Sequence, residues 1–192
     1  MQQPGAERPI VFISVDVETS GPNPSDFSML SIGACLVDDP SLSFYVELKP
    51  VGDGFRQSAL DVSGLTMEGL AATGTEAPVA MEQFATWVDR VVPDGHSALF
   101  VGFNAPFDWM FVEDYFQRYL GRNPFGHSAV DVKAYYMGMT GSSWAETSMR
   151  HLAPRYLGGT PLSHNALEDA RAQARLFDAI RSEAGHSRHT GT

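Results

Sequence analysis

Residues Ile10-Val11-Phe12-Ile13-Ser14-Val15-Asp16-Val17-Glu18 constrain the fold most. Their period of two sets Val11, Ile13, Val15 and Val17 on one face of a strand and Phe12, Ser14, Asp16 and Glu18 on the other. Both faces of this strand are therefore committed. Thr19-Ser20-Gly21-Pro22-Asn23-Pro24 reads as a turn, and further strands follow near residues 29 to 38 and 42 to 49, separated by Asp38-Asp39-Pro40. These three strands form an antiparallel meander.

Downstream, the period changes to that of a helix. Ala80, Phe84, Trp87, Val88 and Val91 define an amphipathic helix over residues 78 to 92. A short strand is expected over Ala98 to Phe103. Asn104 is then placed to cap a helix with Pro106 in its first turn and Phe107, Phe111, Tyr115 and Tyr119 along one stripe. Residues 128 to 132 form one more short strand. The last helix opens at Asn165, with Glu168 completing a capping box and Ala166, Ala170, Ala174, Phe177 and Ile180 buried. A polar tail follows from Ala184, and Met1 to Arg8 precede the first strand without any periodic signal. The order of elements predicts one α/β domain with a mixed sheet over residues 9 to 183, flanked by disordered segments 1 to 8 and 184 to 192.

At 192 residues and 43% apolar content the chain has the size and composition of one domain. The single cysteine, Cys35, lies in an apolar run; it admits no internal disulfide and fits a reducing cytoplasm. No stretch has signal-peptide character, and none approaches the roughly 20 apolar residues of a membrane span. The formal charge of −10, with 13 scattered Lys and Arg, excludes a generic nucleic-acid coat, which requires clustered cations. A phosphate-bearing substrate would have to be met by a local device such as bound cations.

Asp16 and Glu18 project from one face of their strand about 7 Å apart along the chain, a spacing at which two carboxylates can share a cation or simply be solvated at a strand end. The Thr19-Ser20-Gly21 turn that follows could bring backbone N–H groups to a phosphate. Asp108 falls in the first turn of its helix, where the dipole favours an acid with or without a function. Asp169 is similarly placed. His164 precedes it by five residues, which on one continuous helix would separate the two by about 140°. They converge only if His164 lies on the loop before the helix, where Pro161 and the Asn165 cap put it. A loop imidazole beside a carboxylate has the makings of a general base.

Three stretches, Asp16-Val17-Glu18-Thr19-Ser20-Gly21, Asn104-Ala105-Pro106-Phe107-Asp108 and His164-Asn165-Ala166-Leu167-Glu168-Asp169, together resemble in order and spacing the motifs of the DEDDh exonucleases. That family includes proofreading exonuclease subunits, oligoribonuclease and ribonuclease T. The resemblance implies a ribonuclease H-like fold, a central mixed five-stranded sheet with three antiparallel and then parallel strands, flanked by helices. It also implies hydrolysis from the 3′ end of single-stranded DNA, RNA or short oligonucleotides, giving 5′-nucleoside monophosphates. Two divalent cations, Mg²⁺ or Mn²⁺, would be held by Asp16, Glu18, Asp108 and Asp169, an oxygen-only set suited to those ions. His164 would act as general base. Thr19, Gly21, Leu65, Asn104 and Phe107 would contact substrate, and association as a homodimer or within a larger nucleic-acid-processing complex is expected.

Arg122-Asn123-Pro124-Phe125 followed by Asp131 is similar to a stretch of ribonuclease T, and the loop at Leu65-Thr66 to a second substrate segment of the family. Two positions depart from the pattern. Pro22 stands where many members carry Leu or an aromatic, and Val62 where ribonuclease T has an aromatic, which would weaken or broaden base selection. Trp87, Phe84, Phe111 and Tyr115 belong to the core, whereas Trp109, beside Asp108, and Trp144 are less readily assigned to it. The competing expectations are a catalytically silent nucleic-acid-binding module and a metal-dependent hydrolase of small nucleotides.

Overall fold

The computed structural model describes residues 8–159 and 163–189, with the helical backbone alone beyond Glu183. Residues 1–7, 160–162 (Pro161 among them) and 190–192 lie outside the described residues, and so does most of what was expected to be disordered at 1–8 and part of that at 184–192. Among the described residues five strands form the sheet: β1 Ile10–Thr19, β2 Met29–Leu36, β3 Ser43–Glu47, β4 Ser97–Gly102 and β5 Ala129–Asp131. Their order across it is β3-β2-β1-β4-β5. β1 is antiparallel to β2 and β2 to β3, whereas β4 runs parallel to β1 and β5 to β4. This is the mixed ribonuclease H-like arrangement expected from the sequence.

β1 is central because both its faces are covered. Ile13, Val15 and Val17 pack beneath α3 (Ala77–Val91) and α4 (Ala105–Leu120), where Phe84, Phe111, Tyr115 and Phe116 are fully buried. On the reverse face Phe12 meets Phe177 edge-on at 5.4 Å, within a second core that Val101, Val132, Leu152 and Ile180 share. That face is covered by α5 (Val132–Thr140), α6 (Met149–Tyr156) and α7 (Ala166–His189). Two short helices, α1 (Gln57–Ser63) and α2 (Met67–Thr73), join β3 to α3 and bury Leu60 and Leu70 against Leu30. A single 3₁₀ turn, Trp144–Thr147, lies between α5 and α6. No helix among the described residues is long and apolar enough to cross a membrane.

Several local expectations are corrected. Asn104 does not cap α4 with its side chain; its backbone is left-handed, with φ 67°, and its carbonyl accepts the Phe107 N–H at 3.1 Å. Asn165 does cap α7, Oδ1 accepting the Glu168 N–H at 3.2 Å, but the box is not closed. The Glu168 carboxylate instead accepts from Arg171 at 2.7 Å, and the Asn165 N–H donates to Ser163 Oγ. α7 runs to His189, beyond the expected end at 183. α1, α2, α5, α6 and the 3₁₀ turn were not foreseen, because each buries at most two residues and so shows no periodic stripe.

Candidate active site

The parallel ladder between β1 and β4 stops at Ser14, leaving the last turn of β1 without a strand partner on that side. Here the Val17 N–H donates to Asp108 Oδ1 at 3.1 Å, so the first turn of α4 is anchored to β1. On the other edge Asp16 pairs with Gly33 and Glu18 with Ser31 of β2. Gly33 is required by contact: a Cβ there would lie 2.1 Å from the Ala166 carbonyl carbon and 2.2 Å from Leu167 N. Without that Cβ, the first turn of α7 rests directly on the sheet and brings Asp169 to β1.

The result is that carboxylate oxygens of Asp16, Glu18 and Asp169 all lie within 4.8 Å of one another. Asp108, 5% exposed, stands outside this trio but close enough for its charge to act on Asp16 and Glu18. Burial, followed by the charges of Asp108, Glu18 and Asp169, holds the Asp16 carboxyl well above the usual range. Burial and then Asp169 and Asp108 push Glu18 up to about 8. Asp108 is pushed up to about 7 by burial, against the opposing pull of the Val17 N–H. These acids cannot all ionise together without a compensating charge. A hard divalent cation is the group their donor set fits, since every available atom is a carboxylate oxygen.

Sequence reasoning missed Gln173. It is 1% exposed, donates from Nε2 to Asp16 Oδ1 at 2.6 Å and accepts the Phe103 N–H at 2.9 Å. A polar residue one turn beyond Asp169 on a largely buried helix was the available signal.

His164 lies on the loop before α7, as expected, in a left-handed conformation with φ 57°. Its N–H donates to Asp169 Oδ2 at 2.9 Å, while Ser163 gives Oδ1 both its N–H, at 2.6 Å, and its hydroxyl, at 2.9 Å. Asp169 therefore grips the loop through its backbone. The imidazole is exposed and enters no hydrogen bond or ion pair among the described residues.

The residues expected to meet substrate are distributed unevenly. The Thr19 hydroxyl donates to the Gly21 carbonyl at 2.8 Å, and Gly21 packs so tightly that a Cβ would lie 2.3 Å from the Phe27 ring. Asn104 is exposed at the start of α4, and Phe107 is half-buried against Phe111, their rings 5.5 Å apart. Leu65 borders an open cleft of about 410 Å³ together with Phe55, Leu60 and Met67. Val62 is 51% exposed, and the exposed ring beside this cleft belongs to Phe55, which the sequence did not single out. Pro22 is exposed. Asp131 is structural: its two oxygens accept the N–H groups of Ala105 and Ala134, each at 2.7 Å, tying α4 and α5 together.

Residues 13–177 match the family model described as an exonuclease, and the chain belongs to that family of nucleases. It is 47% identical over 170 residues to the 3′-5′ DNA exonuclease Cap18 of Escherichia coli, covering 88% of this chain and 91% of that protein. Among solved structures, E. coli exonuclease I in complex with a dT13 oligonucleotide superposes with a TM-score of 0.71 at 19% identity, covering 92% of this chain. The chain spans less than half of that protein's length, 42%. The nuclease domain of 3′hExo, a DEDDh family member bound to rAMP, superposes with a TM-score of 0.69 at 15% identity over 92% of both chains. At these identities the superpositions establish the fold.

Proposed function

We propose that the chain is a metal-dependent 3′-to-5′ exonuclease that releases 5′-nucleoside monophosphates from the ends of single-stranded nucleic acid. The observation that carries this reading is the meeting of Asp16, Glu18 and Asp169 within 4.8 Å, with Asp108 beside them. DNA is the favoured substrate on the strength of the 47% identical relative, with RNA and short oligonucleotides in the same chemical class. Two Mg²⁺ or Mn²⁺ ions held by these four carboxylates would supply Lewis-acid activation of water and charge stabilisation at the departing 3′ oxygen.

The chain's own residues supply the remainder. Gln173 fixes the rotation of Asp16, and Asp169 draws the His164 loop against the site through the Ser163 and His164 amides. His164 takes the proton of the attacking water, a task open to a solvent-facing imidazole on a loop. A reducing cytoplasm suits the buried Cys35 thiol, which burial pushes up to about 12 and so keeps unreactive. Association with itself or with a larger complex would present longer strands to this acidic surface.

The test is cleavage of 5′-labelled single-stranded DNA and RNA with Mg²⁺, with and without chelator. A ladder shortening from the 3′ end and abolished by chelator is expected. Intact strands with hydrolysed free nucleotides would indicate a small-nucleotide hydrolase, and binding without turnover a silent module. Asp16→Ala should abolish activity, and His164→Ala should lower kcat on the order of 10²-fold or more. Wild-type rates in both variants would remove the assignment.

A further inference from the structure

β1, β4 and β5 run parallel, so their carboxyl ends share one edge, the edge at which open α/β sheets receive ligands. Along it stand Asp16 on β1, Phe103 just after β4 and Lys133 just after β5. Phe12 and Val101 both reach the core under α5 to α7, so strand alternation places Asp16 and Phe103 on that same face. Gln173 links them, bonding the Phe103 N–H with one end of its amide and Asp16 with the other.

The Lys133 ammonium lies 5.8 Å from the centroid of the Phe103 ring and 4.2 Å from that of Trp144. Trp144 opens the 3₁₀ turn and is 52% exposed. Like Arg8, Arg56, Arg90, Arg150 and Arg175, Lys133 enters no ion pair among the described residues; what sets it apart is its place on the edge that carries Asp16. Two aromatic rings, each facing the same ammonium, thus stand on the edge that carries the acidic site. Two inter-strand spacings of about 4.8 Å separate β1 from β5, which puts Lys133 on the order of 10 Å from Asp16. That distance corresponds to about three steps of a stacked strand at ~3.4 Å each.

We propose that Phe103, Lys133 and Trp144 form a subsite for single-stranded nucleic acid a few nucleotides upstream of the scissile bond. Lys133 takes a backbone phosphate, and the exposed part of the Trp144 ring stacks a base. In a chain of net charge −10, such a local cation supplies attraction that the surface as a whole does not. The subsite rests on the exonuclease reading and adds to it a dependence on substrate length.

Its test compares the wild-type enzyme with Lys133→Ala and Trp144→Ala, with Mn²⁺ present, on two substrates. One is a single-stranded DNA or RNA oligonucleotide longer than the three-step span; the other is thymidine 5′-monophosphate p-nitrophenyl ester, too short to reach Lys133. For the oligonucleotide, Trp144→Ala should raise KM about 5- to 150-fold, the range for losing one stacked base, and Trp144→Phe should recover most of it. Lys133→Ala should raise KM and reduce the slope of log KM against log salt by about 0.7, with Lys133→Arg restoring it. Turnover of the ester should stay unchanged in all four variants. Unchanged KM and salt slope on a wild-type enzyme that cleaves both substrates would overturn the subsite alone, and so would equal losses on both. A wild-type enzyme that cleaves neither would overturn the exonuclease reading itself.

Discussion

Gln173 shows how much of a carboxylate's usefulness is decided by a neutral neighbour. Its amide holds one oxygen of Asp16 at 2.6 Å and is itself held by the Phe103 N–H, so Asp16 cannot turn its free lone pairs away from Glu18 and Asp169. Gln173→Ala should weaken Mn²⁺ binding by roughly 10- to 100-fold, the cost of losing a partner that orients a ligand. Titration calorimetry checks this directly, and unchanged affinity would leave Gln173 as mere filling. The convergence of Asp16, Glu18 and Asp169, with Asp108 beside them, was legible in the sequence because each falls within a short motif. Gln173 was not, since its meaning lies in a contact 157 residues away along the chain. Asp108 was half legible: the helix-dipole argument placed it in the first turn, but only the fold reveals the Val17 N–H that it binds. Asn104 was misread, because the turn from β4 into α4 needs a left-handed residue there rather than a side-chain cap.

Among the elements, the contact between β2 and α7 is the one on which the site depends most. Gly33 has no side chain, and the backbone of Ala166 and Leu167 occupies the space a Cβ would need. Gly33→Ala should therefore lift the start of α7 from the sheet and cost about 1–3 kcal/mol in overpacking. Urea denaturation should register that loss, and activity should fall by more than the unfolded fraction explains, because Asp169 moves with the helix. A variant as active and as stable as the wild type would show that α7 can shift without consequence. The strands and the two large helices on the Ile13 face were readable from periods of two and about 3.6 residues. The small helices were not: α1 and α2 bury one residue each, and a single buried leucine makes no pattern.

At the scale of the whole molecule, the acidic cluster should govern how stability varies with pH. The folded state raises Glu18 from 4.5 to about 8 and Asp108 from 3.8 to about 7, so it holds their protons more tightly than the unfolded chain does. Their contribution is fully present below the ordinary carboxylate range and is lost as pH rises through about 7 and then 8. Metal-free protein should lose Tm over that window. Mg²⁺ should restore it most at the alkaline end and release protons on binding. Melts in chelator and in Mg²⁺ across the series test this; a metal-free Tm that does not fall between neutral pH and pH 8 would contradict it. Layer order was visible in the pattern of elements and the meeting of the acids was expected from the three motifs, but the burial of these carboxylates that makes pH matter was not.

The carboxylates come from β1, α4 and α7, and α7 is the last of these elements to be made. During synthesis, a ribosome-bound chain that has not yet emerged beyond Glu168 lacks Asp169 and Gln173 alike. The acidic cluster is therefore complete only once α7 has settled onto the sheet, and no part of the chain ahead of that helix can assemble it.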